Sequence, residues 1–138
     1  MITGSISLSR LPLRDREGCT EGTGFEILAR DLSGQIIGRY LLPIDSNGIA
    51  NNGYLNLFRK NRNTELARKL IDAASGELEL LAGELEKTIL HTTLILTGKG
   101  RNNIVNIFER NDYRIGKRTR SYVMLYKIYK PDSDEDGC

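Results

Sequence analysis

The sequence predicts an α/β domain, and three observations carry that expectation. Short β-rich runs flank a long leucine-striped segment at residues 65–85. A second, shorter amphipathic segment at 104–108 follows one more β-rich run. Two further β-rich runs then close the chain, so strands and helices alternate along its second half.

Each element has its own warrant. Ile6-Ser7-Leu8-Ser9 alternates apolar and polar side chains, and Pro12 marks this first strand as an edge. Residues 14–24 are charged and then glycine-rich, and read as a loop. The runs 25–30 and 35–42 are two strands joined by Asp31-Leu32-Ser33-Gly34, a hairpin in which Gly34 supplies the permissive backbone. Asp45-Ser46-Asn47-Gly48 and Asn51-Asn52-Gly53 read as turns, and 54–58 as a strand. Asn63 or Thr64 caps a helix starting near Glu65. Leu66, Leu70, Ala74, Leu78, Leu81 and Leu85 mark one helical face, while Gly76 and Gly83 weaken the helix enough to suggest two pieces. Residues 88–97 form a buried strand rich in Thr, Ile and Leu, and Gly98-Lys99-Gly100 turns the chain. Residues 113–115 and 122–129 are the closing strands.

Composition narrows the function classes. One domain over residues 1–130, followed by an acidic, disordered tail at 131–138, accounts for the 138 residues. With 28% charged and 39% hydrophobic residues, the composition is that of a globular protein. No apolar run approaches the roughly 18 residues that a membrane span needs, and the start lacks the basic and apolar regions of a signal peptide. Cys19 and Cys138 have no metal-ligand spacing and read as incidental thiols of a reducing, cytoplasmic chain. Net charge is +2, yet residues 99–130 hold nine bases against Glu109 and Asp112. Tyr113, Tyr122, Tyr126 and Tyr129 are interleaved with these bases. That pattern suits nucleic-acid contact, but it equally describes amphipathic strands with aromatics inward and bases outward, the favoured alternative.

Two motifs go further. Arg62-Asn63-Thr64-Glu65-Leu66-Ala67 opens the long helix, and Phe108-Glu109-Arg110-Asn111-Asp112-Tyr113 leads into the closing strands. In this order they resemble the two ends of the cofactor-binding half of the GCN5-related N-acetyltransferase (GNAT) superfamily. That family writes Arg/Gln-x-x-Gly-x-Gly/Ala at the first place and Tyr-Glu-Lys-x-Gly-Phe at the second. Glu65 stands where the first motif has its central glycine, and Asp112 where the second has its glycine. Phe108 stands in place of the tyrosine that often protonates the departing thiolate.

The resemblance covers about residues 25–130. It implies a mixed, mostly antiparallel sheet with one long and one short helix, the N-terminal helices being reduced or absent because residues 14–24 leave no room for them. It implies acetyl-CoA or another acyl-CoA as cofactor, with pyrophosphate at residues 62–67, an amine as acceptor, and N-acyltransferase chemistry in a divergent member. Residues 54–58 and 88–97 are then expected as neighbouring strands of one sheet, with helix 65–75 packed on its face. His91, the lone histidine, is a candidate general base, with a structural core histidine as the favoured alternative. The alternative function is a non-catalytic GNAT-like module binding protein or nucleic acid. A homo-oligomer is a further expectation, since the missing helices leave sheet for a partner to cover.

Overall fold

The computed structural model describes residues 3–14, 20–51, 53–57, 64–96 and 101–131. Their order is β1 (Thr3–Arg14), β2 (Thr20–Asp31), β3 (Ile36–Asp45), β4 (Ile49–Asn51), β5 (Tyr54–Leu57), α1 (Thr64–Leu85), β6 (Ile89–Leu96), α2 (Arg101–Arg110), β7 (Arg114–Arg118) and β8 (Tyr122–Tyr129). They form two sheets, ordered β1-β2-β3-β5 and β4-β6-β8-β7. The β4–β6 pair is parallel and every other pair is antiparallel. The mixed, mostly antiparallel α/β architecture with one long and one short helix is therefore present.

The first sheet is built on period-two alternation. Phe25, Ile27 and Ala29 of β2 are fully buried, while Glu26, Leu28 and Arg30 between them are only partly covered. In the β2–β3 turn Asp31 Oδ1 accepts from the Ser33 and Gln35 amides, and Gly34 takes φ 91°. The Ser33 hydroxyl, with these amides, holds the Asp31 carboxyl below its usual range. Residues 20–24 belong to β2 and pair with β1 and β3. Residues 14 and 20–24 of the expected loop are thus strand, because antiparallel pairing on both sides of β2 overrides the low strand propensity of the glycines, and residues 15–19 lie outside the described residues.

One expectation fails. Residues 54–58 and 88–97 are not neighbours in one sheet: β5 pairs with β3, whereas β6 pairs with β4 and β8. The neighbour of β6 is Ile49–Asn51, whose last residue falls in the expected turn at 51–53. The physical reason lies at Gly53 and Gly48. A Cβ at Gly53 would stand 2.5 Å from Leu42 Cδ1 and 2.7 Å from Tyr40 Cε1, so the backbone there lies directly on β3 side chains. Gly48 takes φ 81°, a Cβ on it would meet the Thr88 carbonyl at 2.5 Å, and its own carbonyl accepts from the Leu90 amide. The chain between these glycines is drawn to β6 at one end and to β3 at the other.

Helix α1 runs unbroken from Thr64 to Leu85, not in two pieces. Leu66, Ala67, Leu70, Ile71, Ala74, Leu78, Leu81 and Ala82 form its buried stripe. Added Cβ atoms on Gly76 and Gly83 would meet nothing within 4 Å, so both glycines leave packing intact and the buried stripe carries the helix through them. In α2, Val105, Ile107 and Phe108 are buried. Both helices face the same core as Ile89, Val123, Leu125 and Tyr129 of the second sheet. The expected turn at 98–100, the tail at 132–138 and both cysteines lie outside the described residues.

Candidate functional site

The parting of two parallel strands defines the site. Ile49, Ala50 and Asn51 pair with Leu90, His91 and Thr92. Beyond this point β5 turns to β3, while β6 continues with β8 to Leu96. The strands open a wedge, and the chain leaving β5 leads to the start of α1 at Thr64. A helix start offers unpaired amides and the positive end of the helix dipole, and both favour an anion.

Four of the six residues proposed for the cofactor are described. Thr64 and Glu65 are exposed, and Leu66 and Ala67 are buried in the core. The latter two can therefore offer a ligand only their backbone. Arg62 and Asn63 lie outside the described residues. Glu65 is ion-paired with Arg68, one turn on, which also reaches Asp72 Oδ2 at 3.3 Å. The Arg68 hydrogen bond lowers the Glu65 carboxyl below its ordinary range. The negative charge in the first turn is thus partly answered by its own neighbour.

The second motif ends α2. Asp112 takes φ 70°, the left-handed conformation glycine adopts most readily. The Tyr113 amide donates to the Phe108 carbonyl at 3.1 Å and the Asp112 amide to the Glu109 carbonyl at 3.0 Å, closing the helix as a glycine stop would. Aspartate tolerates this backbone better than most residues, so the substitution keeps the turn. Phe108 is 2% exposed and sits edge-on to Tyr113, with ring centroids 5.0 Å apart.

His91 lies where the parallel strands are still paired, and its side chain points into the core at 0% exposure. Its Nδ1 is hydrogen-bonded to the Tyr113 hydroxyl. Tyr113 is bonded to the Tyr129 hydroxyl at 2.7 Å, and Tyr129 to Ser75 Oγ at 3.0 Å. One polar chain thus ties β6, the approach to β7, β8 and α1. Burial pushes His91 down to about 4, so the ring is neutral at neutral pH. Burial also raises Tyr113, and pushes Tyr129 up to about 12. The Lys127 ammonium lies 4.6 Å from the Tyr129 ring centroid and donates to the Asn111 carbonyl at 2.9 Å. This placement favours the structural role for His91: a neutral ring sealed under two helices and held by a tyrosine.

Sequence reasoning missed the partners of His91. Ser75 and Tyr129 are separated by 54 positions and meet only through the packing of α1 on β8. The tyrosines of the basic segment also divide: Tyr113 and Tyr129 are buried, whereas Tyr122 and Tyr126 are half-buried.

No protein-family model matches the chain, and no curated protein matches it by sequence. Solved structures do. The spermidine N-acetyltransferase of Vibrio cholerae, solved in complex with CoA and spermine, aligns at TM-score 0.55 and 14% identity over 76% of this chain. An acetyltransferase of the GNAT family from Streptococcus pneumoniae aligns at 0.56 and 14% over 77%. A GNAT superfamily phosphinothricin acetyltransferase from Sinorhizobium meliloti, solved with AcCoA, aligns at 0.57 and 11% over 78%. The alignments span 65%, 66% and 62% of those chains, respectively. The protein has the fold of the GCN5-related N-acetyltransferases.

Proposed function

We propose that the chain is a divergent acyl-CoA-dependent N-acyltransferase, with residues 1–130 as its single domain. The observation that carries this reading is the parallel pair β4–β6 parting into a wedge where β5 turns to β3, with α1 the next element along the chain. A diphosphate can accept hydrogen bonds from the amides of the first turn of α1, residues 64–67, and the helix dipole favours its charge. Structures of the same fold solved with CoA, and with the amine spermine, lend support to an acyl-CoA donor and an amine acceptor. In such chemistry the acceptor amine attacks the thioester carbonyl, the C–S bond breaks, and CoA leaves as the thiol while the amine loses a proton. The wedge holds the two reactants together, and backbone amides stabilise the developing oxyanion.

The alternative, a non-catalytic binding module with this fold, draws on two observations. Phe108 is buried and has no hydroxyl to give a departing thiolate, and Glu65 adds bulk and charge at the helix start. His91 enters neither reading as a base, because its ring is sealed in the core.

Calorimetric titration with acetyl-CoA decides between the readings. An acyltransferase binds it, and its melting temperature rises with ligand concentration. Glu65→Gly removes bulk and charge and tightens binding about threefold to tenfold, since one like charge near a partly exposed anion is worth about 1 kcal/mol. Thiol release on adding polyamines then reports turnover. No heat and no thermal shift with either the parent or the Gly variant refutes the acyltransferase reading.

A further inference from the structure

We propose that the outer face of β6, β8 and β7 docks an amphipathic helix from a partner protein, apolar along one stripe and acidic on its flanks. Residues directly opposite one another in an antiparallel pair share a sheet face. Leu94 opposes Met124 and Leu96 opposes Tyr122, while Leu90 opposes Ile128. Arg114 opposes Tyr126, and Lys117 opposes Met124. All of these therefore stand on one face. The other face, with Ile89, His91, Leu125 and Tyr129, is buried toward α1 and α2.

The outer face is uncovered where it is most apolar. Leu94 is 45% exposed, Leu96 61% and Ile128 50%. A run of exposed aliphatic groups on one surface is characteristic of an interaction site. The face is also one-signed. The three strands contain no Asp or Glu. Arg114 and Lys117 are exposed and form no ion pair among the described residues. Charge complementarity therefore calls for an acidic occupant.

The shape of the face selects a helix. Three strands span about 10 Å, and a helix with its side chains is about 10–12 Å wide. Helices already cover the opposite side of this sheet, and a sheet of this class is commonly covered on both faces. A second copy would present the same three strands, which hold no Asp or Glu to answer Arg114 and Lys117. A single-stranded nucleic acid would satisfy the charges, but its bases need stacking planes. The most exposed groups here are aliphatic, and the tyrosines are half-buried.

The test is fluorescence anisotropy with a labelled helical peptide bearing leucines at i, i+3, i+4 and i+7 and glutamates on both flanks. Its controls are the same peptide with lysines in place of the glutamates, and a short single-stranded DNA. The acidic peptide is expected to bind about tenfold or more tightly than its lysine twin, and less tightly as salt rises. Leu94→Glu and Lys117→Glu should each weaken it about tenfold with the melting temperature unchanged, because both side chains are exposed. Equal affinity for the two peptides, or indifference to Leu94→Glu, overturns the proposal. So does binding of the DNA alone with loss on Lys117→Glu, which assigns the face to nucleic acid. A concentration-dependent rise in mass by ultracentrifugation that Leu94→Glu abolishes assigns it instead to a second copy.

Discussion

At the scale of single residues, the buried polar chain matters most. His91 is neutral in the folded protein and sits near 4, against an ordinary value of 6.5 in the unfolded chain. Between these values the unfolded chain binds the proton and the native protein does not. Stability from this group is therefore complete above pH 6.5 and falls as pH drops toward 4. The gap between the two values corresponds to roughly 3 kcal/mol. Denaturant unfolding between pH 7 and pH 4 should show this decline in the parent, and His91→Gln should flatten it. A parent whose stability is level across that range would place a charged imidazole in the core. The lone histidine was visible in the sequence. Its tyrosine partner was not, because a hydrogen bond between positions 22 apart leaves no local signature.

At the scale of elements, the two helices were legible and the effect of the two glycines in α1 was not. The leucine spacing of α1 reports its buried face directly. Whether Gly76 breaks the helix depends on how tightly that face is held, which a propensity does not encode. Gly76 is exposed with free space around it, so Gly76→Ala is expected to raise stability by about 0.5–1 kcal/mol. At the end of α2, Asp112 holds a left-handed backbone, and Asp112→Gly should relieve it by a similar ~0.5–1 kcal/mol. Urea midpoints with unchanged slopes would read both gains. A loss at position 112 would mean that the aspartate side chain contributes more than the glycine backbone would relieve.

At the scale of the whole molecule, two sheets share one stretch of chain. Residues 49–51 belong to one ladder and 54–57 to the other, with Gly53 between them. The wedge exists because the backbone at Gly53 lies against Tyr40 and Leu42. Gly53→Val should overpack this contact and cost about 1–3 kcal/mol. Hydrogen exchange should then show lost protection in β3 and β6 together, since both ladders depend on the same bend. Protection lost in β3 alone would show that the sheets are held independently.

The α/β class, most of the elements, the buried stripe of α1 and the resemblance to the acetyltransferase motifs were all legible in the chain, because period and turn chemistry are local properties. The sequence did not determine which strand neighbours which. Residues 54–58 and 88–97 both read as strands, yet they take partners in different sheets, and only the close approach at Gly48 and Gly53 decides that. Nor did it separate Tyr113 and Tyr129 in the core from Tyr122 and Tyr126 on the open face. Interleaving with bases is the same in all four, and the difference arises from which side of the second sheet the helices cover.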